Sequence, residues 1–107
     1  MINVFLDDLR PCPKGYKYAQ TADECIKLIT DNKVNALSLD HDLGFGKPSG
    51  YEVVKYMVQN RTYPKKIVIH SANPFGRFRM VELLTKHKPR NVDLIVRPEP
   101  LFFNFRL

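Results

Sequence analysis

The sequence predicts an α/β fold, a single small doubly wound parallel sheet of about five strands with helices on both faces. Short β-rich apolar runs alternate with stretches of helical periodicity throughout the chain. The connections between them are short, and each strongly apolar run stops at a cluster of polar residues. A length of 107 residues suits one domain spanning 1–107.

Ile2-Asn3-Val4-Phe5-Leu6 is the first strand, ended by Asp7-Asp8 and a turn carrying Pro11 and Pro13. Tyr16-Lys17-Tyr18-Ala19 reads as a short edge strand. Thr21-x-x-Glu24 has the form of a capping box, and Cys25, Ile26, Leu28 and Ile29 follow at helical spacing to about Asn32. Ala36-Leu37-Ser38-Leu39 is the next strand, closed by Asp40-His41-Asp42. After the Gly44–Pro48 loop, Ser49-x-x-Glu52 opens a second helix, and the stretch Gly44–Gly50 reads as a flap over a ligand or as a plain connector. Tyr51, Val54, Met57 and Val58 give that helix its apolar stripe. Ile67-Val68-Ile69 is a strand ending at His70-Ser71-Ala72-Asn73-Pro74, where Asn73 and Pro74 suit the cap and first turn of a helix. That helix runs to about Lys88, and Asp93-Leu94-Ile95-Val96 is the last strand. Too few residues follow Pro100 for a full helix, so the C-terminal helix is expected to be reduced.

Composition narrows the functions. A 44% hydrophobic fraction excludes wholesale disorder, and no apolar run approaches the roughly 20 residues of a membrane span. No signal peptide is recognisable and two cysteines make no disulfide scaffold, so the expected location is cytoplasmic. The net charge of +6 favours an anionic partner such as a nucleotide, RNA or another phosphate ester without choosing among them, and no arginine-rich run points to general RNA binding. The apolar tail around Leu101, Phe102, Phe103 and Phe105 either covers a sheet edge or pairs with a second copy, which leaves a homo-oligomer open.

In a parallel sheet, ligands bind beyond the carboxyl ends of the strands where the strand order reverses. Asp7, Asp8, Arg10, Asp40, His41, Asp42, His70, Ser71, Asn73 and Arg97 all follow strands and fall on that one rim. His41 and His70 are the candidate proton-transfer pair, because imidazole titrates near neutrality. The reading takes a strand end on the rim as an exposed place for His70, and the competing reading makes it a hydrogen-bonded structural residue. Asp40 and Asp42 flank His41 and would orient it. Arg10 and Arg97 would grip phosphate with planar guanidinium forks. Ser71, Asn73 and the first amides of the Pro74 helix would offer an anion seat. Arg77, one turn into that helix, is a candidate ligand contact beside Phe75 and Phe78, although phenylalanines at that spacing more often belong to a core.

The order of these residues resembles a receiver domain of the response-regulator type. Asp7-Asp8 follows the first strand, Asp40 the third and Ser71 the fourth, with Arg97-Pro98 where receivers carry Lys-Pro. More closely, FLDDLRPCP (5–13), SLDHDLG (38–44), SGYEVV (49–54) and HSANPFG (70–76) resemble the cyclic-phosphate-processing receiver domains. The resemblance implies a flavodoxin-like fold that binds or hydrolyses a cyclic phosphate of a nucleotide or ADP-ribose type. It also implies a divalent cation, Mg²⁺, held by Asp7, Asp8 and Asp40. An Asp paired with Arg10 would serve equally well without metal, and no cofactor is certain. Two other functions compete with a phosphoesterase: a module that sequesters a cyclic nucleotide unchanged, and a signalling receiver phosphorylated on Asp40.

Overall fold

The structure, a computed structural model, describes residues 1–97. The elements in chain order are β1 (Ile2–Leu6), β2 (Tyr16–Ala19), α1 (Ala22–Asp31), β3 (Val34–Leu39), α2 (Gly50–Asn60), β4 (Lys66–Ile69), α3 (Pro74–His87) and β5 (Asp93–Val96). All five strands are parallel, in the order β2-β1-β3-β4-β5. This is the sheet the sequence predicts; β3 begins two residues and β4 one residue earlier than read. The expected reduced helix after β5 and the apolar tail lie outside the described residues.

The helix starts follow their predicted chemistry. Thr21 Oγ1 accepts from the Glu24 amide at 3.1 Å, and Glu24 Oε1 reaches back to the Gln20 amide at 3.2 Å. Ser49 Oγ accepts from the Tyr51 amide at 3.2 Å to open α2. At the far end of α2, Arg61 takes a left-handed conformation with φ 51° and caps the last turn.

Among the described residues the helices lie on one face of the sheet, where the sequence predicts both. The β2–β3, β3–β4 and β4–β5 crossovers advance in one direction across the sheet, and right-handed connections therefore place α1, α2 and α3 on the same face. The packing agrees. Val4, Leu6, Ala19, Leu37, Leu39, Ile67 and Ile69 share one buried cluster with Cys25 and Ile29 of α1, Val54 and Met57 of α2, and Met80 and Leu84 of α3. Only the β1–β2 connection runs the other way, and residues 7–15 cross there as a loop. Its prolines remove amide donors, and Gly15 stands at φ 86°. Among the described residues, the second face of the sheet carries no helix. It presents Phe5, Ser38 and Val68, which are in register across β1, β3 and β4. Among the same residues, no helix is long and apolar enough to cross a membrane.

Candidate functional site

The strand register aligns the site. Leu6, Leu39, Ile69 and Val96 are matched across β1, β3, β4 and β5, so Asp7, Asp40, His70 and Arg97 form the next row along the rim. Their amides continue the ladder: Asp40 donates to Leu6 O at 3.0 Å, His70 to Leu39 O at 2.8 Å and Arg97 to Ile69 O at 2.6 Å. Successive side chains along a strand alternate faces. Since Leu6, Leu39 and Ile69 face the helices, this row is directed to the opposite face, and His41, one residue further, returns to the helix side.

The strand order reverses between β1 and β3, and a cleft of about 680 Å³ opens there. Asp7, Asp8 and Arg10 line it from one strand end, and Asp40, His41, Asp42, Phe45 and Lys47 from the other. The structure thus brings six of the predicted site residues into one cleft. His70, Ser71, Asn73, Arg77 and Arg97 are not among its lining residues.

His70 corrects the expectation of two exposed imidazoles meeting over the rim. Its Nδ1 lies 2.6 Å from Ser38 Oγ and its Nε2 lies 2.9 Å from Asp7 Oδ2. Both contacts are buried, and the ring stacks on Phe5 with centroids 4.7 Å apart. The small Ser38 between β1 and β4 leaves room for those two rings to meet. Burial pushes the His70 pKa below its ordinary value, against the pull of the Asp7 carboxylate. The neutral ring then donates from Nε2 to Asp7 and accepts the Ser38 hydroxyl proton at Nδ1. No ring nitrogen is left for a ligand.

Asp7 is equally committed. Its Oδ1 accepts from the Leu9 and Arg10 amides, each at 2.9 Å, and its Oδ2 faces His70 and, at 3.8 Å, Arg10 Nη1. Burial alone would raise its pKa, but the Arg10 and Leu9 amides and the His70 ring outweigh that and hold it below the usual carboxylate range. Asp40 goes the other way, raised by burial and by the neighbouring Asp7 charge. Asp7 is thus the Asp that pairs with Arg10, and Arg10 Nη1 also donates to His70 O at 2.7 Å. A guanidinium has five N–H donors, so the half-exposed Arg10 keeps others for a ligand in the cleft.

His41 has a different environment. Its ring rests on Gly76 of α3, where any side chain would collide with it. Its Nδ1 lies 2.8 Å from Asp42 Oδ1. Asp42 is held below the usual carboxylate range by His41 first and by Asn73 second, so it is the acceptor and His41 Nδ1–H the donor. Among the described residues His41 Nε2 has no hydrogen-bond partner, and the residue lines the cleft. The arrangement is a carboxylate-oriented imidazole with its second nitrogen open.

Four further predicted site residues lie elsewhere than expected. Ser71 is fully buried, and its hydroxyl accepts from the Asn73 amide at 3.1 Å. Asn73 Oδ1 takes the Phe75 and Gly76 amides at 3.0 and 3.1 Å, which closes the anion seat expected at the start of α3. Arg77 Nη1 donates to Ser71 O at 2.7 Å and so ties α3 to its preceding loop. Arg97 is exposed at the end of β5, outside the cleft. Sequence reasoning did not single out Leu9, Phe45 or Lys47, which line the cleft. An aromatic and a lysine in Gly44-Phe45-Gly46-Lys47 were the available signal.

One oxygen of each of Asp7, Asp8 and Asp40 lies within 4.8 Å of the others. Asp8 Oδ1 is sealed from solvent and has no hydrogen-bond partner among the described residues. An unpaired buried carboxylate oxygen beside two more carboxylates is a donor set that suits a hard divalent cation such as Mg²⁺.

The fold and the rim acids define a receiver-type α/β protein. A response regulator from Burkholderia pseudomallei, solved with a phosphorylated aspartic acid, a calcium ion and citrate, is similar in structure, with a TM-score of 0.60 at 17% identity. The match covers 98% of this chain and 65% of that one, and at this identity it shows the fold alone. No curated protein matches the chain. Residues 2–86 match the sequence pattern of the cyclic-phosphate processing receiver domain, and the chain belongs to that family.

Proposed function

We propose that the chain hydrolyses the cyclic phosphate of a nucleotide or ADP-ribose-type molecule in the cleft between the ends of β1 and β3, with one histidine, His41, moving the proton. The observation that carries this reading is the Asp42–His41 pair on the cleft wall with Nε2 unpartnered. Water adds to phosphorus, one P–O bond of the ring breaks, and the water proton passes to His41 Nε2. The same nitrogen returns the proton to the departing alkoxide, and the product is a phosphate monoester. Asp42 holds the ring in the tautomer this requires. Arg10 and Lys47 face the phosphoryl oxygens as fixed positive charges. A divalent cation on Asp8, Asp40 and Asp7 would supply Lewis-acid stabilisation of phosphoryl charge. His70 and Ser38 act through Asp7, whose carboxylate they hold in place.

The test incubates the protein with 2′,3′-cyclic AMP, 3′,5′-cyclic AMP and a cyclic-phosphate form of ADP-ribose, with Mg²⁺ and with EDTA, and weighs what is recovered. A ring-opened product heavier by one water supports hydrolysis. Intact ligand recovered from a tight complex makes the protein a sequestering module. No binding of any probe overturns the reading.

A further inference from the structure

We infer that Phe45, together with Leu9, seats a flat aromatic group of the ligand at the mouth of the cleft, which makes a nucleobase-bearing cyclic phosphate the preferred substrate class. The inference rests on the cyclic-phosphate reading of the same cleft. Six large hydrophobic residues stand exposed among the described residues: Met1, Leu9, Tyr18, Phe45, Phe75 and Phe78. Leu9 is 87% exposed and Phe45 wholly so, and these two line the cleft. They come from opposite strand ends, Leu9 after β1 and Phe45 after β3, as the two jaws of a clamp must.

Phe45 is held out by design of the backbone. The Lys47 amide donates to Gly44 O at 3.1 Å, closing a tight turn over Gly44-Phe45-Gly46-Lys47. Gly46, third in that turn, has φ 73°, the left-handed conformation a type II turn needs at that place. Gly44 before it, at φ 117°, is also in a region that side chains disfavour. The ring is thus presented at a turn corner by two glycines, where a polar residue would have served a simple connector better.

The chemistry of the cleft is divided in the same way. Carboxylates and His41 lie at the strand ends, and the loop residues bring Leu9, Phe45, Arg10 and Lys47. A cyclic phosphate without a base occupies the first part and leaves the apolar part wet. A space of about 680 Å³ is within the range of roughly 300–1,000 Å³ of small-ligand sites and holds a mononucleotide. Stacking on an aromatic ring tolerates every base because each has a π-face, so the clamp recognises flatness and not base identity.

The experiment compares 2′,3′-cyclic AMP with the 2′,3′-cyclic phosphate of methyl riboside, which keeps the phosphate ring and sugar but has no base. Both are titrated, with Mg²⁺, into the wild-type chain, Phe45→Ala and Phe45→Tyr. Affinity is read directly, or as kcat/KM where a probe turns over. The wild type is expected to prefer the base-bearing probe by about tenfold or more, the worth of one base–aromatic stack. Phe45→Ala should erase the preference between the two probes, whereas Phe45→Tyr keeps it. Equal handling of the two probes by the wild type, or a preference surviving in Phe45→Ala, overturns the clamp while the cyclic-phosphate reading stands. Failure of both probes to engage any of the three proteins overturns that reading as well.

Discussion

His41 and His70 follow neighbouring strands of one sheet, yet the side chains differ little in exposure, at 16% and 11%. What separates them is how many ring nitrogens the protein has taken. Ser38 and Asp7 hold both nitrogens of His70, and Phe5 covers its face. Asp42 holds one nitrogen of His41, and Gly76 gives its ring a flat seat on α3. Partial burial therefore does not distinguish a structural histidine from a reactive one; the unpaired nitrogen does. The contrast also explains why one basic protein clusters acids on its rim. Asp7 braces the buried side, and Asp42 orients the open one.

The largest expected effect falls on the closed side. His70→Ala removes the partner of Asp7 Oδ2 and of Ser38 Oγ together. Each buried group left unpaired costs about 1–3 kcal/mol, so the chain should lose roughly 3 kcal/mol or more in urea unfolding. A loss under about 1 kcal/mol would show that the chain of bonds bears little on stability. Gly76→Ala sharpens the comparison from the open side. Replacing glycine in a helix ordinarily stabilises it by about 0.8–1 kcal/mol. Here the new methyl meets the His41 ring, and turnover should drop about tenfold for a cost of ~1.4 kcal/mol. Unchanged turnover would mean that the ring's seat does not matter.

Smaller changes follow. Asn73→Ala loses the cap of α3, worth about 1 kcal/mol by thermal melting, and removes one of the two partners that steady Asp42. The smallest effect is on pH dependence. His70 binds its proton less readily folded than unfolded, so folding excludes that proton. Its contribution to stability is whole above about pH 6.5 and declines as pH falls below that value. Asp7, held low in the fold, adds its own loss in more acid solution. Melting temperature should therefore fall between pH 7 and pH 5, and His70→Gln should flatten that part of the curve.

Much of this was legible in the sequence. Apolar runs ending in polar clusters located the strands, and those clusters marked the rim on which the cleft opens. Thr21, Ser49 and Asn73 announced their helices through capping chemistry that is local in the chain. The misread features were non-local. Residues 7–15 are too few and too rich in proline to carry a helix, so all three described helices share one face. His70 follows its strand by one residue and His41 follows by two, and this parity sends them to opposite sides of the sheet. The burial of His70 then depends on Phe5, Ser38 and Asp7, all from other strands. The sequence offers the first amides of the Pro74 helix to an anion, but the Asn73 side chain consumes those of Phe75 and Gly76.

The most direct test replaces each imidazole by a side chain that hydrogen-bonds but cannot shuttle a proton. His70→Gln keeps an N–H for Asp7, and His41→Gln loses only proton transfer. Hydrolysis of 2′,3′-cyclic AMP should fall about a hundredfold or more in His41→Gln and stay within about tenfold of wild type in His70→Gln. Equal collapse of both variants, with both still folded, would contradict the account.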